Sequence, residues 1–131
     1  MHISYVWIVI AALVQWLFGG FWYGVIFRKS WAKLIGLAPG EKPKNWIFAL
    51  ASGLLACLLL SFIMAHIFAM TGVRSFSDGF AVGVACWLGF MAPPLFAQHV
   101  FEGRRANLFV INAAYWLMAM AIGSAILAVF H

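Results

Sequence analysis

The residues of this chain that could do chemistry are concentrated between His99 and Tyr115. His99 and Glu102 stand three positions apart, a spacing that puts both on one face of a helix. Arg104 and Arg105 follow and supply guanidinium groups, which bind phosphates and carboxylates. Metal-binding helical bundles also contain Glu and His at this spacing, but they repeat the pair on a second helix. Because this chain has a single copy, we predict no metal site from it.

The histidines and cysteines predict no cofactor. A haem with two histidine ligands needs both at one depth, whereas His66 and His99 lie near the C-terminal ends of successive, antiparallel apolar stretches and so at opposite depths. Cys57 and Cys86 also lie within such stretches, without a CxxC spacing, and are expected to act as small apolar residues. A loose metal site stays an alternative at the ends of the apolar stretches opposite to His99. Its ligands would be His2, His66 and His131.

Four apolar stretches must position these residues. Of the 131 residues, 66% are hydrophobic and 8% are charged, whereas a soluble domain carries about 25% charged residues. The stretches are 3–27, 46–70, 79–101 and 108–130. Each is long enough to cross the roughly 30 Å hydrocarbon core as a helix. We therefore predict an all-α membrane protein, with one domain over 1–131 that forms a compact bundle of four transmembrane helices.

The basic residues predict how the chain is oriented. Seven of the eight fall in the first and third connections: Arg28, Lys29, Lys33, Lys42, Lys44, Arg104 and Arg105. The second connection carries only Arg74. The positive-inside rule then makes the first and third connections cytoplasmic and leaves both termini outside. Because the charges sit beside apolar spans, we expect membrane lipids, anionic ones included, as partners, and no nucleic acid.

The first connection has the pattern of a short amphipathic helix. Trp31, Leu34 and Ile35 recur at helical spacing, while Lys29 and Lys33 lie elsewhere on the turn. This pattern predicts a short helix in the headgroup layer, which serves as an interfacial anchor or, alternatively, senses lipids or docks a partner. The residues expected to end it and to keep the chain extended are Gly36, Pro39-Gly40 and Pro43.

The third stretch contains a double proline. Pro93 and Pro94 remove two backbone donors and clash with the carbonyls one turn earlier, at Gly89 and Phe90. We predict that the third helix is kinked at Pro93-Pro94. The kink is either static, shaping how the helix packs, or a hinge with carbonyls open to a ligand.

Small residues predict where the helices pack, because they let backbones approach closely in lipid. The first stretch has a GxxxG at Gly20 and Gly24, and the third has one at Gly79 and Gly83. Similar pairs in the second and fourth stretches are Gly53 with Cys57 and Ala119 with Gly123. One of these stripes could instead serve a homodimer. The short connection 71–78 predicts a tight antiparallel pair of the second and third helices.

Polar residues collect toward the cytoplasmic end of all four stretches. Counted from the midpoints at 1.5 Å per residue, they lie in the inner leaflet, while the outer half is almost pure hydrocarbon. Polar groups in a membrane usually face the bundle and often mark function. We predict a ligand- or partner-binding site formed by Tyr23, His99, Glu102, Arg104, Arg105, Asn112 and Tyr115. The alternative is an ordinary interfacial belt of Trp and Tyr, with Asn112 and Gln98 bonding between helices.

Two groups of short motifs carry a family resemblance. The first group is Gly20-Phe21-Trp22-Tyr23 and Phe27-Arg28-Lys29-Ser30-Trp31, with Lys33-Leu34 and Gly36. The second is Gly89-Phe90-Met91-Ala92-Pro93 and Phe101-Glu102-Gly103-Arg104-Arg105, with Asn112 and Tyr115. In order and spacing they resemble a bacterial membrane family catalogued as domain of unknown function 1761. The resemblance covers nearly the whole chain and implies a four-helix protein of a bacterial inner membrane, without an assigned activity, substrate or catalytic residue.

Three functions remain open from the sequence. The leading one is non-enzymatic: a small integral membrane protein that acts through interaction, as an accessory subunit or a homo-oligomer. The second is a small-solute or multidrug-type transporter, although no stretch holds Asp or Glu in its interior to couple protons. The third is an enzyme acting on a lipid or isoprenoid, with His99 as base, Glu102 orienting it, and Arg104 and Arg105 holding a phosphate.

Overall fold

The computed structural model describes residues 3–38, 41–42 and 44–130. Every regular element in this part of the chain is helical, and four helices are long and apolar enough to cross a membrane. The predicted all-α class is therefore confirmed. The four spans are Tyr5–Ile26, Trp46–Thr71, Phe76–Phe101 and Ala106–Phe130. The third begins three residues earlier than predicted, because Ser75 caps it by accepting a hydrogen bond from the backbone N–H of Asp78.

Two of the spans each contain one short π-helical segment. The elements in chain order are α1 (Tyr5–Phe21), a first π-turn (Trp22–Ile26), α2 (Arg28–Leu34), α3 (Trp46–Thr71), α4 (Phe76–Cys86), a second π-turn (Trp87–Met91), α5 (Ala92–Phe101) and α6 (Ala106–Phe130). The first span is thus α1 with its π-turn, and the third is α4, the second π-turn and α5. We call the end of the bundle that carries the connections 28–45 and 102–105 the basic end.

The fourth span, α6, is the centre of the molecule. In its most apolar stretch of 18 residues, 56% of the stretch is buried inside the bundle, against 6% of the corresponding stretch of the third span. It packs against α1, α3 and α4 together. Its buried face is built largely from small residues, among them Ala113, Ala119, Gly123, Ser124 and Ala128. Since lipid gives helices little hydrophobic reason to associate, these small residues explain why three helices can approach α6 closely.

The third span packs mainly on α6 and not on its sequence neighbour α3. The contact between α4 and α6 is the most extensive between any two elements of the described chain. The predicted tight pair of the second and third helices is therefore wrong. A short connection brings the ends of two helices together without determining which helix each packs against, and α6 offers α4 the small side chains of Ser124 and Ala128.

One of the two GxxxG pairs confirms the packing prediction and the other contradicts it. A Cβ built on Gly83 would lie 2.6 Å from Ser124 Oγ and 2.7 Å from Met120 O, and one on Gly79 would overlap Ala128. By contrast, nothing lies within 4 Å of a Cβ built on Gly20 or Gly24. The predicted packing role of Gly20 and Gly24 is thus wrong, since both face open space. The close approach in the first span is at the neighbouring Gly19, where a Cβ would lie 2.9 Å from the Tyr115 hydroxyl oxygen.

The double proline follows directly after a π-turn. The backbone N–H of Ala92 donates to the carbonyl of Trp87, five residues earlier. Pro93 and Pro94 then stand in the first turn of α5, where a backbone N–H has no partner within its own segment. The π-turn therefore accommodates the missing donors without ending the span. A bend of the helix axis at this place stays a prediction.

The first connection contains the short helix α2. Trp31 and Leu34 are half-buried on it, while Lys29 and Lys33 are exposed, as an amphipathic helix requires. That α2 lies in the headgroup layer remains a prediction. The expected helix-ending role of Pro39-Gly40, the expected extended chain at Pro43, and the possible metal site with His2 and His131 lie outside the described residues.

A buried polar cluster joins the three helices that meet at the centre of the bundle. Gln15 of α1 is 1% exposed, and its amide nitrogen donates to the carbonyl of Ala119 in α6 at 2.9 Å. Its amide oxygen accepts a hydrogen bond of 2.9 Å from Ser61 of α3. The hydroxyl of Tyr115 donates to the backbone carbonyl of Gln15 at 2.9 Å. We call Gln15, Ser61 and Tyr115 the central polar cluster.

Replacing Gly83 with leucine is expected to destabilise the protein by about 1–3 kcal/mol or more, because the new side chain would force α4 away from α6. Gly89→Leu is the matched control, since Gly89 is exposed and nothing lies within 4 Å of a Cβ built there. Thermal unfolding of both variants in detergent measures the difference. Equal midpoints would contradict the close contact of α4 with α6.

Candidate functional site

Three of the predicted site residues form a hydrogen-bonded chain across three helical segments. The hydroxyl of Tyr23, in the first π-turn, donates to Asn112 Oδ1 of α6 at 2.7 Å. The amide nitrogen of Asn112 lies 3.4 Å from Nε2 of His99 in α5. The depth count from the sequence placed these residues at one level, and the structure turns all three toward the interior. We call them the polar chain.

His99 is buried, with 5% of its surface exposed, and both of its ring nitrogens are engaged. Nδ1 lies 2.9 Å from the carbonyl oxygen of Leu95, which can only accept a hydrogen bond. Nδ1 therefore carries the proton in the neutral ring, and Nε2 is left as the acceptor for the amide of Asn112. The hypothesis that Glu102 orients His99 as a base is wrong, because the Leu95 carbonyl holds the ring one turn back along α5.

Glu102 belongs to the rim of the basic end. Its carboxylate accepts a hydrogen bond of 2.6 Å from the side-chain amide of Gln98 and forms an ion pair of 2.6 Å with Nε of Arg104. The hydrogen bond from Gln98 is the largest cause that lowers the pKa of Glu102 below its usual value, and Arg104 adds to it. Gln98 thus bonds within its own helix, and the predicted bond between helices is wrong for Gln98 and right for Asn112.

The two arginines do not reach the polar chain. Arg104 and Arg105 are exposed and line a shallow groove of about 390 Å³ together with Leu34 and Ile35, at the end of α2. The structure therefore divides the predicted residues into a buried group and an exposed rim. The buried group consists of the buried His99 and Tyr115 and the half-buried Tyr23 and Asn112, and the rim is Glu102, Arg104 and Arg105.

A larger cleft opens between α1, α3 and α6, with the polar chain at one side of its floor. Its volume is about 690 Å³, and its lining is mostly apolar. Tyr23, Asn112 and Tyr115 line it, so the cleft is where three predicted residues meet a space that can hold a ligand. The other lining residues that matter for its shape are the tryptophans Trp16, Trp31, Trp46 and Trp116 and the glycines Gly19, Gly20, Gly24 and Gly53.

At the end of the cleft farthest from the basic end, a tryptophan joins two helices. The indole N–H of Trp16 donates to the carbonyl of Leu50 at 3.0 Å, and its ring lies 3.6 Å from a Cβ built on Gly53. The other end reaches Trp31 of α2 and Trp46 at the start of α3. From Trp16 to Gly24 the cleft follows eight residues, or about 12 Å of helix. Aromatic walls over this length favour an elongated apolar ligand.

Sequence reasoning missed the cleft because it interpreted its glycines as packing residues. Gly20 and Gly24 are exposed, and nothing lies within 4 Å of a Cβ built on either, so the absence of side chains there leaves space along the first span. The available signal was the adjacent Gly19, which shares a helical stripe with Gln15 and Trp22. That stripe faces α6, which leaves Gly20 and Gly24 on another side of the helix.

Within the described residues, no three His, Cys, Asp or Glu side chains come close enough to hold a metal ion.

The aromatic residues also do more than form an interfacial belt. The indole N–H groups of Trp22 and Trp87 donate to the carbonyls of Ile111 and Ala113 at 3.1 and 2.9 Å. These bonds fix the first and third spans against α6 on either side of the polar chain.

Replacing Asn112 with leucine is expected to destabilise the protein by about 1–3 kcal/mol, because Tyr23 and His99 would both lose a buried partner. Asn107→Leu, in the exposed first turn of the same helix, is the control and should change stability by less than about 0.5 kcal/mol. Reversible unfolding in mixed micelles gives both values. If the two variants are equally stable, the polar chain contributes nothing to the fold.

Comparison with known proteins gives a family but no activity. A search of curated proteins and a search of solved structures both found no match. One protein-family model matches residues 6–128, which is nearly the whole chain. This match confirms the resemblance that the sequence motifs indicated. The chain belongs to the family described as protein of unknown function (DUF1761).

Proposed function

We propose that this membrane protein is a non-enzymatic interaction protein that binds an amphipathic molecule in the cleft at its basic end. The observation that carries the proposal is the cleft itself: about 690 Å³, mostly apolar walls, and the hydrogen-bonding groups of Tyr23 and Asn112 at its floor. A few polar groups in a largely apolar cavity of this size are typical of sites for small ligands. The protein would serve as an accessory subunit that presents or senses this molecule.

Binding is favoured over catalysis by what lines the cleft. The described lining residues include no Ser, Cys, Asp, Glu or His, so a nucleophile or a general base of these types would have to come from elsewhere. His99 stands behind Asn112 with both ring nitrogens engaged. A proton-coupled carrier also needs a carboxylate beside its substrate, and the described lining offers none. The enzyme and transporter alternatives therefore receive no support from this site.

We further propose that the basic end faces the cytoplasm, with both termini outside, in a bacterial inner membrane. The charge distribution of the two basic connections supports this orientation. The cleft would then open toward the inner leaflet, close to anionic headgroups that Arg104 and Arg105 can contact.

Filling the cleft should weaken binding strongly without unfolding the protein. In neutral detergent, dibrominated stearyl alcohol is expected to quench the tryptophan fluorescence of the protein, because Trp16, Trp31, Trp46 and Trp116 line the cleft. The double substitution Gly20→Leu and Gly24→Leu should weaken saturable quenching by at least about ten-fold, since leucine side chains would occupy that space.

The matched control is Gly89→Leu, which adds leucine at an exposed helical glycine away from the cleft. It should leave the quenching curve unchanged. Thermal unfolding of each variant checks that the fold survives. Quenching that does not saturate, or that the double variant and the control share, would refute binding in the cleft.

The orientation is tested by cysteine labelling of intact cells in a background without Cys57 and Cys86. Ser75→Cys lies in the second connection and should react with an impermeant maleimide added outside. Ser30→Cys lies on exposed α2 and should react only after the membrane is permeabilised. Neither change alters the charge of the chain. The reverse pattern would overturn the proposed topology.

A further inference from the structure

We propose that the occupant of the cleft is a single-chain anionic amphiphile, a molecule with one long apolar chain and one carboxylate or phosphate head, whose head binds Lys42. This inference rests on the proposed function, because it names the class of ligand for the same cleft. Lys42 is the one cation among the described residues that line the cleft. The occupant would lie with its chain toward Trp16 and its head at the basic end.

Lys42 is held at the mouth of the cleft by an aromatic contact. Its ammonium nitrogen lies 4.3 Å from the ring centroid of Trp46, at the first residue of α3. A cation over an aromatic face is attracted by the ring quadrupole, which keeps the charge near the apolar wall. The same Trp46 ring lines the cleft. The charge is therefore positioned where the apolar space meets the headgroup region.

Glu41, the acidic residue next to Lys42 in sequence, forms no ion pair with it among the described residues. The carboxylate of Glu41 accepts a hydrogen bond of 3.0 Å from the backbone N–H of Ala38, three residues earlier in the same connection. Among the described residues, the one ion pair joins Glu102 and Arg104, at the rim. Among the described residues Lys42 thus has an aromatic partner and no ion pair, so its charge is available to complement an anionic ligand.

The size of the cleft favours one chain over a two-chain phospholipid. About 690 Å³ falls within the range of sites for small ligands. The space is elongated, about 12 Å along the first span, and it ends at Trp16, which bridges to Leu50. A single chain can enter from the open side at Gly20 and Gly24, and its head then reaches Lys42.

The test compares two brominated probes that differ only in the head: stearate, which is anionic, and stearyl alcohol, which is neutral. Their saturable quenching of tryptophan fluorescence is measured in neutral detergent at a pH where stearate is ionised. Lys42→Gln should weaken binding of stearate by about five-fold, as expected for one basic residue near a membrane surface. It should leave binding of the alcohol unchanged. Lys42→Arg should restore the affinity for stearate.

Lys44→Gln is the matched control, because it removes the same charge from the same connection but does not line the cleft. It should change neither affinity. If Lys42→Gln has no effect on stearate, or if Lys44→Gln weakens stearate equally, the head is not held by Lys42 and the inference is overturned. If neither probe shows saturable quenching of the wild-type protein, the proposed function itself fails.

Competition distinguishes the two sources of an anionic head. Unbrominated stearate and octadecyl phosphate are each added against bound brominated stearate. Displacement by either supports the inference, and the tighter competitor identifies a fatty acid or a lipid phosphate as the class of ligand. Displacement by a two-chain anionic phospholipid at equal concentration would overturn the assignment to a single chain.

Discussion

The side-chain amide of Gln15 is the constraint on which the arrangement of the helices depends. It is nearly fully buried and bonds to Ala119 of α6 and Ser61 of α3 at once. In an apolar surrounding, an unpartnered amide costs far more free energy than it does in water, so all three helices must keep the register that satisfies it. A Cβ on Gly123 would overlap Gln15, and glycine at this position is what lets the amide reach α6.

The cleft is a consequence of this central junction. Tyr115 connects the two regions, because its hydroxyl donates to Gln15 and its ring lies 5.5 Å from the ring of Tyr23. The absence of a side chain at Gly19 leaves room for Tyr115, whereas nothing lies within 4 Å of a Cβ built on Gly20 or Gly24. Small residues of the first span that face α6 allow the helices to pack closely. Small residues that face open space leave a cleft that an added molecule would fill.

The sequence predicted the helices of this fold better than it predicted which helices pack against each other. Length, hydropathy and charge located four spans, because crossing a membrane restricts all three. They did not indicate which face of a helix is buried, because apolar side chains cover every face of α3 and α6. Gly20 and Gly79 therefore looked alike in the sequence, although one faces a cleft and the other faces Ala128. Connection length was no better guide, since it brought helix ends together without choosing α6 over α3 as the partner of α4.

The candidate site was predicted from the depth of its residues in the membrane. Which of them belong together depends on the direction in which each side chain points. Counting residues placed Tyr23, His99 and Asn112 at one level, and polar groups at one depth in a membrane tend to find one another because nothing else there can satisfy them. Glu102 lies directly after the end of α5, where it is exposed and water competes with protein partners for its charge. Its carboxylate turned to Gln98 and Arg104 at the exposed rim.

The third span is held by two different kinds of contact on the two sides of its π-turn. Before the turn, Gly79 and Gly83 bring α4 against α6, and dispersion over close backbones holds it. From the turn onward, the indole of Trp87 and the ring of His99 hold the span through hydrogen bonds to α6 and to Asn112. The second π-turn begins at Trp87 itself, and the two prolines follow it in the first turn of α5. Because Asn112 also lines the cleft, the hydrogen-bonded half of the span is anchored on the wall of the site, whereas the close-packed half is anchored away from it.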